Sequence, residues 1–188
     1  MRSVHTLAQR AGLGCTVGLL AIFANGCGDS DSPPPQAAFE ATFYGGSCAA
    51  TVSPGPTINI GVAKQDQSST VADGTDGVHV SCRATPQGDG FYANVRISKL
   101  SYSLNFEATM PTDPNQSAPA KYISISGPNT SGAPYRPLEG TNCSATFIQG
   151  AAGSIKASFK CDSMWNGIGQ DTQTCAVEGV VVAENCEQ

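Results

Sequence analysis

Charge is scarce in this chain. Lys, Arg, Asp and Glu make up 13% of its 188 residues, and no basic residue adjoins another. Phosphate backbones demand clustered positive charge, so a nucleic-acid partner is not expected. The same scarcity argues against an electrostatic grip on a membrane surface. Histidine is rarer still: only His5 and His79 occur. A Ser-His-Asp hydrolase needs an imidazole to take and return a proton, and no Gly-x-Ser-x-Gly turn accompanies either one. Cysteines never fall in CxxC spacing, and no HxxxH is present, which leaves no zinc-type ligand set. No Walker-type phosphate loop is found. Long runs with helical spacing are missing. No catalytic residue, cofactor or metal is expected.

What is present is alternation of period two, broken by Gly and Pro. Strands are predicted over 38–44, 48–53, 57–63 and 78–84. Phe39, Ala41 and Phe43 point inward in the first of these. The clearest pair is 91–98 and 102–110, which follow a Pro86–Gly90 turn. Further strands are predicted over 121–126, 143–147 and 155–161. The apolar run 176–183 reads as a strand near the centre of a sheet. Long loops are expected over 64–77, 111–120, 127–140 and 162–173. The fold class is all-β, an antiparallel two-sheet β-sandwich stapled by disulfides, with a small β-barrel as the alternative.

The front of the chain differs from the rest. Arg2, His5 and Arg10 precede a charge-free stretch over 11–24. That stretch is shorter than the about 20 residues a membrane-spanning helix needs, and it suits the apolar region of a signal peptide. It ends in Ala24-Asn25-Gly26-Cys27, which resembles the lipobox of bacterial lipoproteins. The resemblance implies a signal peptide over 1–26 and a lipid on the sulfur of Cys27. It also implies a protein anchored in the bacterial cell envelope, facing the periplasm or the exterior, with the membrane as partner through that lipid. Cleavage by an ordinary signal peptidase, leaving Cys27 as a free thiol, is the other reading. Residues 27–38, with Pro33, Pro34 and Pro35, read as an acylated tether, and 39–188 as a single domain. The resemblance ends with the tether.

Six cysteines then remain in the body: Cys48, Cys82, Cys143, Cys161, Cys175 and Cys186. In an exported domain they read as three disulfides. A hairpin of 143–147 with 155–161 would bring Cys143 beside Cys161. Simple neighbour pairing would add Cys48–Cys82 and Cys175–Cys186. The last is geometrically awkward, because the Cα atoms of a disulfide must approach within about 7 Å.

Candidate sites are few. His79 reads as a surface histidine on the polar side of a strand. Asp73 and Asp76 could offer oxygens to calcium, yet their spacing is not that of a calcium loop, and they read as turn formers. Glu107, Glu139 and Glu178 are the acids from which a glycosidase pair would be drawn. Tyr92, Tyr135 and Trp165 could form an aromatic platform, with the loop residues Tyr135 and Trp165 as ligand-binding candidates. The expected function is a lipid-anchored structural or interaction module without enzymatic activity. A carbohydrate or small-ligand binding module is the alternative, with a glycan or an envelope protein as partner.

Overall fold

Alternation builds one dry and one wet side on each long strand. In β6 (Val78–Gln87), Val78, Val80, Cys82 and Ala84 are buried, while His79, Ser81 and Arg83 face solvent. The computed structural model describes residues 32–46, 57–127, 133–138, 142–166 and 174–188. Cys27, Cys48, Glu139 and the strand expected over 48–53 lie outside the described residues. Ser32–Gln188 form one compact unit.

Among the described residues eleven strands make a single curled sheet, nine of them along one path. One half runs β2 (Thr57–Ile60), β1 (Gln36–Tyr44), β13 (Thr174–Glu184), β12 (Ser154–Trp165) and β11 (Cys143–Ala151). The other runs β9 (Ser117–Ser126), β8 (Tyr102–Pro111), β7 (Gly90–Lys99) and β6. All these neighbours pair antiparallel. β9 is the corner. Its residues Ser117, Ala118 and Pro119 pair with β11, and from Ala120 onward it pairs with β8. The inner faces enclose one core, in which Phe39, Phe43, Ile97, Leu104, Phe106 and Met110 are almost fully buried. Phe106 meets Phe159 across it at a ring separation of 6.1 Å. The expected all-β, antiparallel, disulfide-stapled fold is what forms, its two layers being the halves of one curled sheet.

Along its outer edge, β6 meets the strand ends of the other half in turn. Val78 O accepts from Gly74 N–H at 2.8 Å, and Val80 N–H donates to Asp73 Oδ1 at 2.7 Å. Cys82 O accepts from Glu187 N–H at 3.0 Å, and Ala84 N–H donates to Glu187 O at 3.0 Å. Ala84 O accepts from Gly153 N–H at 2.9 Å. Asp73 belongs to the segment beside the start of β1, Glu187 follows β13, and Gly153 sits in the β11–β12 turn. The outer edge of β6 therefore lies against the turn that precedes it, the tail after β13 and the β11–β12 turn. Asp73 uses a carboxylate oxygen as a backbone acceptor, so it serves the edge of β6 as a turn former does.

Two disulfides are defined. Cys143–Cys161 joins directly opposed residues of β11 and β12, with Cα atoms 4.2 Å apart, as the hairpin pattern required. Cys82–Cys186 ties β6 to the tail after β13, with Cα atoms 4.9 Å apart. This corrects the neighbour pairings Cys48–Cys82 and Cys175–Cys186. β13 is extended from Thr174 to Glu184. At about 3.3 Å per residue it holds Cys175 and Cys186 at opposite ends. Cys175 is itself disulfide-bonded.

Several boundaries also differ from expectation. β1 begins at Gln36, and Ala37 and Ala38 are fully buried. Pro35 O accepts from Asp73 N–H at 2.9 Å, and Pro34 O accepts from Asn185 Nδ2 at 3.2 Å. The last residues of the expected tether are thus part of the body. The strand expected over 57–63 breaks at Gly61, where φ is +71° and a Cβ would meet Ser69 O and Ala38 Cβ. The chain then leaves the main sheet as β3 (Val62–Ala63) and pairs with β4 (Ser68–Ser69). β5 (Val71–Ala72) follows and pairs with β1. The stretch 64–77 is therefore not only loop. β9 begins inside the loop expected over 111–120. β12 extends into the one expected over 162–173, where β10 (Arg136–Pro137) pairs with it.

Candidate functional site

The curled sheet leaves two outer faces, one on each half. On β6–β9 the outward residues line up across the strands. Arg83, Asn94, Glu107 and Tyr122 form one row, and Ser81, Arg96, Asn105 and Ser124 the next, with Ser124 at the end of its row buried. A third row runs through Thr85, Tyr92 and Thr109. Asn94, Arg96, Asn105, Glu107, Lys121 and Tyr122 line a shallow cavity of about 430 Å³ on this face.

A bulge lies at the edge of that cavity. Glu107 is opposite Tyr122, but the next residue, Ala108, is opposite Ala120. Lys121 is the extra residue, and it shares the outer face with Tyr122 instead of turning inward. A bulge of this kind re-aims a side chain. Here it sets Lys121 and Tyr122 on the outer face, with Tyr122 opposite Glu107 in the ladder. Lys121 Nζ donates to Glu107 Oε1 at 2.6 Å, and Tyr92 Oη donates to the same oxygen at 3.2 Å. The hydrogen bond from Lys121 holds the Glu107 carboxyl below the usual carboxylate range; the Lys121 charge, the Tyr92 hydrogen bond and the Arg96 charge act the same way, against a cost of desolvation. The same pairing raises Lys121 above the usual lysine value. Tyr122 keeps 41% of its surface exposed.

The other outer face is partly roofed. Ala38, Val180 and Val182 face outward from β1 and β13, yet they are buried beneath Ala63 of β3, with Ile148 packed against them. Beside this patch lies a groove of about 370 Å³ lined by Glu40, Glu178, Lys64, Lys160 and a set of Ser and Thr hydroxyls. Glu40 is opposite Val180 and Thr42 is opposite Glu178, so the two acids are diagonal neighbours across β1 and β13.

The expected site residues are scattered. Glu107 and Glu178 lie on opposite faces of the molecule with the core between them, and are not a catalytic pair. Tyr135 is a correction: it is fully buried and packs on Phe43 with ring centres 5.0 Å apart. It cannot present a surface to a ligand, and its hydroxyl makes no hydrogen bond. Trp165 is half-buried at the end of β12, opposite Thr174 and Arg136, and forms no platform with Tyr135. Of the three aromatics only Tyr92 belongs to the bulged face. His79 is exposed on the same side of β6, opposite Ser98. Among the described residues no group of three His, Cys, Asp or Glu gathers to hold a metal. Arg96, Asn105, Lys121 and Tyr122 were missed. The signal for them was a change of phase: Ala118 and Ala120 are the even-numbered inward residues of β9, Ile123 and Ile125 the odd-numbered ones. The chain matches no protein-family model, no curated protein and no solved structure.

Proposed function

We propose that the chain is a lipid-anchored binding module of the bacterial cell envelope, without catalytic activity, and that its ligand surface is the outer face of β7–β9. The observation that carries this reading is the β9 bulge, which places Lys121 and Tyr122 together beside Glu107. The donors and acceptors there (two amides, two phenols, a guanidinium, an ammonium and a carboxylate) match a polyhydroxylated ligand, and Tyr122 offers a ring on which a sugar can stack. Binding to a glycan is tested by cell-wall pull-down and glycan array with the wild-type protein and Tyr122→Ala. Retention by the wild type that falls about tenfold in the variant, roughly 1.4 kcal/mol of affinity, is the expected result. A wild-type protein that retains no glycan, or a Tyr122→Ala protein that retains it equally well, overturns the reading.

The lipid anchor rests on the lipobox resemblance at Ala24–Cys27, and disulfides at five of the body cysteines support an oxidising compartment. Intact mass of the protein taken from membranes tests both. It should carry acyl mass at Cys27 and gain two hydrogens per disulfide on reduction. A mature chain without acyl mass, or one whose thiols are already free, removes that part of the proposal.

A further inference from the structure

We infer that the glycan held by the β7–β9 face is acidic, with Arg96 pairing a ligand carboxylate. This rests on the reading of that face as a glycan site. On the outer face the carboxylate of Glu107 is already occupied, by Lys121 at 2.6 Å and Tyr92 at 3.2 Å. Arg83, one strand further, has Glu187 at 3.8 Å. Arg96 is different. It is exposed, and its side chain makes no hydrogen bond or ion pair with another described residue, its charge reaching Glu107 only at longer range. Its outer-face neighbours on the flanking strands are Ser81 and Asn105. Along β7 they are Asn94 and Ser98. All four are neutral and can hydrogen-bond. The nearest carboxylate in the ladder is the diagonal one, Glu107, which is neutralised by Lys121.

Taken together, Arg96, Lys121 and Glu107 leave one uncompensated positive charge on a chain whose formal net charge is −5. A free guanidinium is a planar fork that fits a carboxylate through two parallel hydrogen bonds, which an ammonium does not provide. Asn105, directly across from it, and Asn94, two residues along the same strand, lie at sheet-neighbour spacings of about 5 and 7 Å. They are placed to take the hydroxyls around that carboxylate. A sugar acid presents this combination: one anionic group on a ring of hydroxyls.

The test compares oligogalacturonate with its methyl ester by calorimetric titration of the purified protein. The two share the same hydroxyls and differ in charge. Wild type should bind the acid at least about tenfold more tightly than the ester, the scale of a charge-assisted hydrogen-bond pair. The preference should shrink as salt is raised. Arg96→Gln should abolish the preference. Glu107→Gln should tighten the acid several-fold, because it removes a repelling carboxylate and releases Lys121; a merely structural Glu107 would weaken binding. A single cooperative thermal transition certifies that each variant folds. Equal affinity for acid and ester overturns the charge assignment and leaves the face as a glycan site. Binding of neither form, with other glycans retained in the pull-down, overturns the acidic-sugar assignment alone. Binding of no glycan at all removes both readings.

Discussion

The two outer faces of this sheet have been treated differently by the chain that made them. The face of β1 and β13 is apolar where Ala38, Val180 and Val182 lie, and the β3–β4 hairpin folds back to cover it. The face of β7–β9 is polar, bulged and bare. The contrast teaches that outward position alone does not mark a site. An outward valine signals that more chain is coming to cover it. An outward row of Asn, Arg, Glu, Lys and Tyr with no described strand over it is where hydrogen-bonding capacity is left for something else.

The largest blow to the arrangement is to untie the halves. Cys82–Cys186 closes a separation of 104 residues and Cys143–Cys161 one of 18. In the chain-entropy view, removing the first costs about 4–5 kcal/mol and removing the second about 3. Urea unfolding of Cys82→Ser/Cys186→Ser against Cys143→Ser/Cys161→Ser should therefore rank the long bridge above the short one. The roofed face comes next. Val182→Ser loses apolar burial and places a hydroxyl beneath β3, a cost of about 2 kcal/mol. Tyr122→Ala on the bare face should stay within about 0.5 kcal/mol of wild type. Equal losses in thermal melts would erase the distinction between the faces. Tyr135→Phe comes third. It deletes a buried hydroxyl that has no partner, so the variant should be as stable as wild type or up to about 1 kcal/mol more stable.

The smallest effect is a pH slope. The lowered Glu107 carboxyl contributes stability that is fully present above its ordinary value of 4.5. That contribution drains away as pH falls through the lowered native value. Lys121, raised in the fold, contributes below the ordinary lysine value and loses its contribution as pH rises through the raised one. Glu107→Gln should flatten the acid limb, read as the change in urea midpoint with pH. A slope equally steep in the variant would show that the pair is not its source.

Much of the fold was legible because each long strand is wet on one side only. Val78 to Ala84 and Phe91 to Ile97 declare their faces residue by residue, and the hairpin 143–161 carried its disulfide with it. Irregular pieces were not legible. Gly61 gives no sign from its neighbours that the chain leaves the sheet there; that depends on how close Ala38 and Ser69 come. Tyr135 sits between Gly, Pro and Ser residues and reads as loop, yet the strand ends close over it, because local composition does not report burial by distant segments. The Cys82–Cys186 bond depends on β6 lying against the tail after β13, a fact of topology that spacing cannot carry. The bare face fell between these cases. Its phase change at Lys121 is written in the sequence, but that Arg96, Asn105 and Glu107 meet it is decided by strand order.

One consequence follows from the rim of β6. An outermost strand is an invitation to further strands, because its unused amides and carbonyls can template a neighbour from another molecule. Here Asp73, Gly74, Gly153 and Glu187 from the same chain take those positions from Val78 to Ala84. Along that margin, copies packed side by side find five of the ladder's positions already taken. A β-rich body of this kind can be crowded without growing into ribbons from that side.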